Sequence, residues 1–127
     1  MSESAKNWAY RIASGLILIG FAFGLVFAIL HASKASKWTL ILALLGAAIP
    51  PSVGLVGSAM GRANVERAIA SADPKLEPLL RAKGNAEAAI PQNWGLIFGG
   101  VLLVPIGIGE LRRRGREKRE AKAAKKK

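Results

Sequence analysis

The sequence predicts an all-α integral membrane protein with three transmembrane helices, a short helical extramembrane loop and a basic C-terminal tail. Three segments of 22, 24 and 22 residues carry no charge, namely residues 12–33, 38–61 and 88–109. About 20 mostly apolar helical residues cross the hydrocarbon core of a bilayer, so each segment is long enough to span it. A tryptophan lies close to the start of each segment, as is typical of the membrane interface.

The positive charge of the chain is concentrated at its C-terminus. Residues 111–127 hold ten of the 19 Lys and Arg residues and only two Glu, so they carry +8 of the net charge of +11. Beside a predicted span, such a segment is typical of a cytoplasmic tail on an anionic leaflet. The 127 residues form one structural unit, and the lack of cysteine excludes disulfides and thiolate chemistry.

The first predicted span covers residues 12–31 and follows a short N-terminal segment, residues 1–11. A helix over this span rises about 30 Å, enough to cross with little tilt. A cleaved signal peptide is the alternative, with Gly15–Leu30 as its apolar core. That core is long for a signal, and cleavage would place the basic tail outside, so a permanent span is favoured.

The second predicted span has a GxxxG pattern at Gly57 and Gly61. The first and third spans carry the same pattern at four glycines, Gly20 and Gly24 in the first and Gly95 and Gly99 in the third. In lipid, small residues at this spacing let two helix backbones approach closely. We therefore expect these four glycines to form helix-packing faces, either within the bundle or against a partner subunit. Replacing one by leucine is expected to disrupt assembly more than replacing a nearby leucine, such as Leu102, by alanine.

The second predicted span, residues 38–61, contains Pro50 and Pro51 near its middle. Proline lacks an N–H and its ring clashes with the preceding turn, so two adjacent prolines predict a break between two half-helices. The freed carbonyls need donors, for which Ser52 and Ser58 are candidates. Two alternatives remain open: a discontinuous helix whose carbonyls line a site, and a re-entrant hairpin.

Charge placement does not distinguish three crossings from a re-entrant second segment, because both arrangements put twelve basic residues inside and seven outside. Length favours three crossings, since each half-helix would reach only about 18 Å. We therefore predict that the N-terminus is outside and that the short basic loop, residues 32–37, is inside. The tail is then cytoplasmic, in a cell membrane such as an inner membrane.

Residues 62–93 form the longest polar connection, and their five basic and four acidic residues nearly cancel. This balance is typical of a segment outside the cytoplasm. Asp73 followed by Pro74 predicts a helix cap and a first helical residue. Gly84 predicts the end of the short helix that follows, and Pro91 the end of a last turn. The connection is thus expected to consist of short helices separated by breaks.

The third predicted span covers residues 94–111, and the basic tail covers residues 112–127. Glu110 lies at the boundary, and Arg113 and Arg114 follow at the spacing of helix-face ion pairs. The arginines nearest the span are expected to bind anionic lipid or a partner. They are Arg112, Arg113, Arg114 and Arg116. The tail has no aromatic residue to stack on bases, so nucleic acid is disfavoured as a partner.

The chain offers few groups for chemistry. His31 is the only histidine, and its place at the end of the first span predicts a polar residue among lipid headgroups. A metal site would need further ligands, and a serine nucleophile would need a base, which no span contains. The sequence therefore predicts no catalytic, cofactor-binding or metal-binding residue.

The functional prediction is a non-enzymatic accessory or scaffold subunit of a larger membrane complex. Its expected partners are membrane lipids and other integral membrane subunits or copies of itself. One alternative is a homo-oligomeric pore former, which resembles holins in architecture although no motif matches. The other is a membrane tether that holds nucleic acid or a ribosome through the basic tail.

Overall fold

The computed structural model describes residues 3–126, which form three α-helices and no strand. Met1, Ser2 and Lys127, the outermost residues of the predicted N-terminal segment and tail, lie outside the described residues. The helices are α1 (Glu3–Lys34), α2 (Lys37–Ala70) and α3 (Glu77–Ala124), and a 3-10 turn (Pro74–Leu76) precedes α3. The described part of the chain is thus all-α, as predicted.

The three helices pack side by side in an up-down-up bundle. α1 and α3 run in the same direction, because Arg112 of α3 lies beside Ala32 at the end of α1. We call this the basic end of the bundle. α2 runs the other way, and the turn from α2 to α3 closes the opposite end, which we call the hairpin end.

A two-residue connection, Ala35 and Ser36, joins α1 to α2 at the basic end. Ala35 has a positive φ of 41°, and its N–H donates to the His31 carbonyl at 2.7 Å, which closes the last turn of α1. The Ser36 hydroxyl accepts from the Thr39 N–H at 3.2 Å, and the Thr39 hydroxyl accepts from the Ser36 N–H at 3.1 Å. This reciprocal capping box starts α2 directly after the reversal.

Small residues fill most of the interior of the bundle. The central cluster consists of Ala28, Ala43, Ala47, Leu102 and Ile106, which come from all three helices. Leu102 is the largest side chain that is fully buried there. Replacing this leucine by alanine would leave a cavity. That a leucine at Gly24 or Gly99 disrupts assembly more than this replacement stays a prediction.

The predicted break at Pro50 and Pro51 is wrong, because α2 continues through both prolines as one helix. This also removes the re-entrant hairpin, since residues 37 and 70 lie at opposite ends of one continuous element. The expected repair by serine differs as well. The Ser52 hydroxyl donates to the Ala48 carbonyl at 2.7 Å, although that carbonyl is not one that the prolines free.

Close helix packing at the prolines gives a physical reason for this continuity. The prolines remove the donors for the carbonyls of Gly46 and Ala47. A Cβ built on Gly24 of α1 would lie 3.1 Å from the Gly46 oxygen, and one on Gly99 of α3 would lie 2.9 Å from the Ala47 oxygen. Glycine backbones therefore cover both carbonyls, a geometry that allows weak Cα–H···O contacts.

The polar connection 62–93 also differs from its prediction. α2 extends to Ala70, and α3 continues through Gly84 and Pro91, so the connection is a helical hairpin with one short turn. Gly84 does not end a helix. It lets α3 approach α2, since a Cβ there would lie 2.5 Å from Val65 Cγ2. The predicted cap is confirmed, because the Asp73 carboxylate accepts from the Lys75 N–H at 2.9 Å beside Pro74.

Arg81 links the two arms of this hairpin. Its guanidinium donates to Glu77 within α3 at 3.1 Å and to Glu66 on α2. The hydrogen bond to Glu77, followed by that to Glu66, raises the pKa of Arg81 above its ordinary value. All three side chains are exposed, so this network contributes little to stability.

The outer surface of the bundle is apolar on all three helices. All three are long and apolar enough to cross a membrane by length and composition. Only 22% of the most apolar stretch of α1 is buried inside the bundle, and 28% of those of α2 and α3. Most large hydrophobic side chains of the three helices therefore point outward.

Candidate functional site

Polar and charged side chains converge at the basic end of the bundle, where all three helices meet. α1 contributes His31 and the carbonyls of its last turn, α2 contributes Thr39, and α3 contributes Glu110 and the arginines after it. Glycine makes this convergence possible, because a Cβ on Gly109 would lie 2.5 Å from His31 Cδ2 and 2.8 Å from the His31 oxygen. We call this convergence the polar cluster.

His31 lies at the centre of the polar cluster and is fully buried. Its Nδ1 lies 3.0 Å from the Thr39 hydroxyl, and its Nε2 lies 4.0 Å from Glu110 Oε2 without a hydrogen-bond partner among the described residues. The prediction that His31 meets lipid headgroups is therefore wrong. Three helices cover it, which a lone histidine in the sequence could not indicate.

Glu110 accepts hydrogen bonds from two of the four arginines that were predicted to bind lipid or a partner. Arg113 donates to it through Nε at 3.0 Å and Nη2 at 2.9 Å, and Arg114 donates through Nε at 3.1 Å. The predicted helix-face ion pairs are thus confirmed. The same carboxylate also faces His31, with 4.0 Å between Glu110 Oε2 and His31 Nε2.

The other two predicted arginines fasten α3 to α1. Arg112 Nη1 donates to the Ala32 carbonyl and Arg116 Nη2 to the Lys34 carbonyl, each at 3.1 Å. The last carbonyls of a helix have no partner within it, so both bonds satisfy α1 where it ends. The four arginines thus divide into a pair bound to Glu110 and a pair bound to α1.

The four predicted packing glycines all lie against α2. Gly20 contacts Ile49, and Gly24 contacts the Gly46 backbone. Gly95 contacts the carbonyl of Pro50, and Gly99 contacts the ring of Pro51. These faces, with Pro50 and Pro51 between them, are therefore occupied within the chain.

The polar cluster has one imidazole and one carboxylate as potential metal ligands. Within residues 3–126, no group of three or more His, Cys, Asp or Glu side chains lies close enough to hold a metal ion. The geometry of the cluster fastens helix ends together, and it uses one N–H group each of Arg112 and Arg116 for this purpose.

No protein family, curated protein or solved structure matches this chain significantly. The fold therefore defines only a broad class of protein. The chain is a bundle of three helices that are apolar enough to span a membrane, and the third helix has a basic extension.

Proposed function

We propose that this chain is a three-span integral membrane protein that serves as a non-enzymatic accessory or scaffold subunit of a larger membrane complex. The observation that carries the proposal is the apolar belt on the outside of the bundle. Trp38, Ile19, Val104 and Leu111 are all more than 60% exposed there. Soluble proteins rarely expose apolar patches of this extent, whereas lipid covers them without cost.

The distribution of charge supports one orientation of the bundle. The basic end carries Lys34, Lys37 and the nine basic residues of segment 111–126. The hairpin end carries basic and acidic residues in nearly equal number. The positive-inside rule then places the basic end in the cytoplasm and the hairpin outside.

A scaffold role needs a surface that the bundle itself does not use. The GxxxG faces are occupied by α2, but Gly100 and Gly107 of α3 point outward, and a Cβ on either would meet no atom within 4 Å. They lie with Val104 on one face of α3, at the i, i+4, i+7 spacing. A partner helix would fit closest on this face.

The test is purification of the full chain from its native membrane in a mild detergent. Stoichiometric companion membrane proteins would support the proposal, and Gly100→Leu or Gly107→Leu should reduce their recovery. A ring containing only this chain would instead favour the holin-like pore former. Recovery with ribosomes or nucleic acid, lost when residues 118–127 are removed, would favour the tether.

A further inference from the structure

A groove opens on the outside of the basic end, between the last turn of α1 and the start of the basic extension of α3. Ser33, Arg112, Gly115, Arg116 and Arg119 line it, and its volume is about 350 Å³. Two of the five residues have small side chains, and all five are exposed. The groove is therefore an accessible concave surface with three guanidinium groups.

The guanidinium groups of this arginine groove are not neutralised by the protein. Within residues 3–126, every carboxylate in an ion pair with an arginine binds Arg81, Arg113 or Arg114, and none binds the three groove arginines. Two of these three are nevertheless held in place, because Arg112 and Arg116 each donate one N–H to a carbonyl of α1. A guanidinium has five N–H groups, so most remain free for a ligand.

We propose that the arginine groove binds the phosphate group of an anionic phospholipid, an inference that rests on the proposed membrane insertion of the bundle. Guanidinium groups donate in parallel pairs that match phosphate oxygens, and fixed ones lose little entropy on binding. This differs from the sequence-based prediction. Arg119 and Ser33 join the site, while Arg113 and Arg114 are engaged by Glu110 instead.

The surface next to the groove favours a lipid as the source of the phosphate. Ile29 and Ile108 lie one helical turn from Ser33 and Arg112, in the direction of the apolar belt, and are 53% and 45% exposed. Val26 and Val104 continue the same faces by another turn. An acyl chain can lie along these side chains while the headgroup occupies the groove. Neither free phosphate nor RNA would use them.

The experiment compares lipid binding by the full chain and three variants, using native mass spectrometry in a neutral detergent with added phosphatidylglycerol or phosphatidylcholine. Arg119→Gln removes one groove charge, and Gly115→Glu places a carboxylate in open space, since a Cβ there meets no atom within 4 Å. Neither variant replaces Arg112 or Arg116, which donate to α1. Lys118→Gln is the matched control, because it removes an adjacent charge that does not line the groove.

We expect phosphatidylglycerol to bind in preference to phosphatidylcholine. Arg119→Gln should weaken this binding about fivefold, the factor that one basic side chain contributes near an anionic lipid, and Gly115→Glu should weaken it further. Lys118→Gln should weaken it less than Arg119→Gln does, because Lys118 does not line the groove. If Arg119→Gln and Lys118→Gln weaken phosphatidylglycerol binding equally, the lipid is attracted by the basic charge in general, and the proposed groove site is wrong.

A competition experiment identifies the molecule that supplies the phosphate group. Inorganic phosphate or a short single-stranded RNA that competes more strongly than the lipid, with the same dependence on Arg119, would overturn the lipid assignment. Alkaline carbonate extraction of membranes tests the underlying proposal separately. A chain that stays in the membrane but shows no lipid preference contradicts the groove alone, whereas a chain released by carbonate contradicts membrane insertion.

Discussion

The imidazole of His31 is fully buried although its Nε2 atom has no hydrogen-bond partner in the described part of the chain. A buried polar group without a partner costs about 1–3 kcal/mol. The other ring nitrogen, Nδ1, lies 3.0 Å from the Thr39 hydroxyl, and the Glu110 carboxylate lies 4.0 Å from Nε2. Thr39 thus serves the capping box of α2 and also makes the one hydrogen bond of the imidazole within residues 3–126.

This double role of Thr39 can be separated by a double-mutant cycle. Thr39→Val should lower the free energy of unfolding by about 1–2 kcal/mol, because it removes the partner of His31 and half of the capping box. Its cost should fall by about 1 kcal/mol in a His31→Leu background, where that partner is not needed. Circular dichroism during unfolding in detergent measures both quantities.

Ser36→Ala is the matched control for this cycle. It removes the capping hydroxyl alone and should cost about 1 kcal/mol. The Ser36 hydroxyl lies 3.0 Å from the Thr39 hydroxyl but makes no hydrogen bond to His31. Its cost should therefore change less between the two backgrounds than that of Thr39→Val. If Thr39→Val also costs the same in both backgrounds, the bond between His31 and Thr39 contributes nothing to stability.

Ala35 provides a second prediction at the level of one residue. Its φ of 41° lies in the left-handed region, which costs an L-residue with a Cβ about 1 kcal/mol. Ala35→Gly removes that cost but adds freedom to the unfolded chain, so the stability should stay the same or rise by up to about 1 kcal/mol. Ala32→Gly, inside the last turn of α1, should instead lower it by about 0.5–1 kcal/mol. Thermal unfolding of both variants measures the difference, and equal destabilisation would contradict the left-handed turn.

At the level of helices, the middle of the bundle is a layer in which prolines of α2 face glycines of its neighbours. Pro51 lies against Gly99 and Pro50 against Gly95, both on α3. A proline inside a helix costs about 3 kcal/mol or more, so packing must compensate for it. The absence of side chains at these glycines lets α3 cover the part of α2 where the helical hydrogen bonds are missing.

Adjacent glycines of α3 test this layer. A Cβ on Gly99 would lie 2.5 Å from Pro51 Cγ and 2.9 Å from the Ala47 oxygen, whereas one on Gly100 would meet nothing within 4 Å. Gly99→Leu should therefore destabilise the bundle by about 1–3 kcal/mol, since backbone and ring atoms cannot yield easily. Gly100→Leu should leave stability unchanged or slightly raised, because glycine is a poor helix former. Equal stability of the two variants in detergent would contradict this packing.

Part of the fold can be predicted from the sequence. The lengths of the uncharged segments predict the three helices, because a continuous apolar run depends on local composition alone. Local rules fail at Pro51 and Gly84, where both residues lie inside helices that tertiary packing stabilises. They fail at His31 for a related reason, since its neighbours Thr39 and Glu110 are 8 and 79 residues away. Ion pairs with Arg113 and Arg114 are predictable because their partner is three or four residues away.

At the level of the whole molecule, the interior and the exterior of the bundle differ in the size of their side chains. Small residues such as Ala43 and Gly46 line the interior, while large residues such as Leu44 and Leu45 point outward. This is the reverse of a water-soluble bundle, in which the larger apolar side chains face the core. It fits a solvent in which helices associate through close packing of small residues.

Accessibility of single cysteines tests the proposed orientation of this cysteine-free chain. Ala82→Cys on the hairpin should react with a membrane-impermeant maleimide added to intact cells, because the hairpin end is proposed to lie outside. Lys37→Cys and Lys122→Cys at the basic end should react only after the membrane is opened. Lys37 is preferable to Ser36 as a probe, since the Ser36 hydroxyl caps α2. Reaction at Lys37 and Lys122 but not at Ala82 in intact cells would invert the orientation. Reaction of all three from one side would mean that the bundle does not span the membrane, because α2 places Lys37 and the hairpin at opposite ends of one helix.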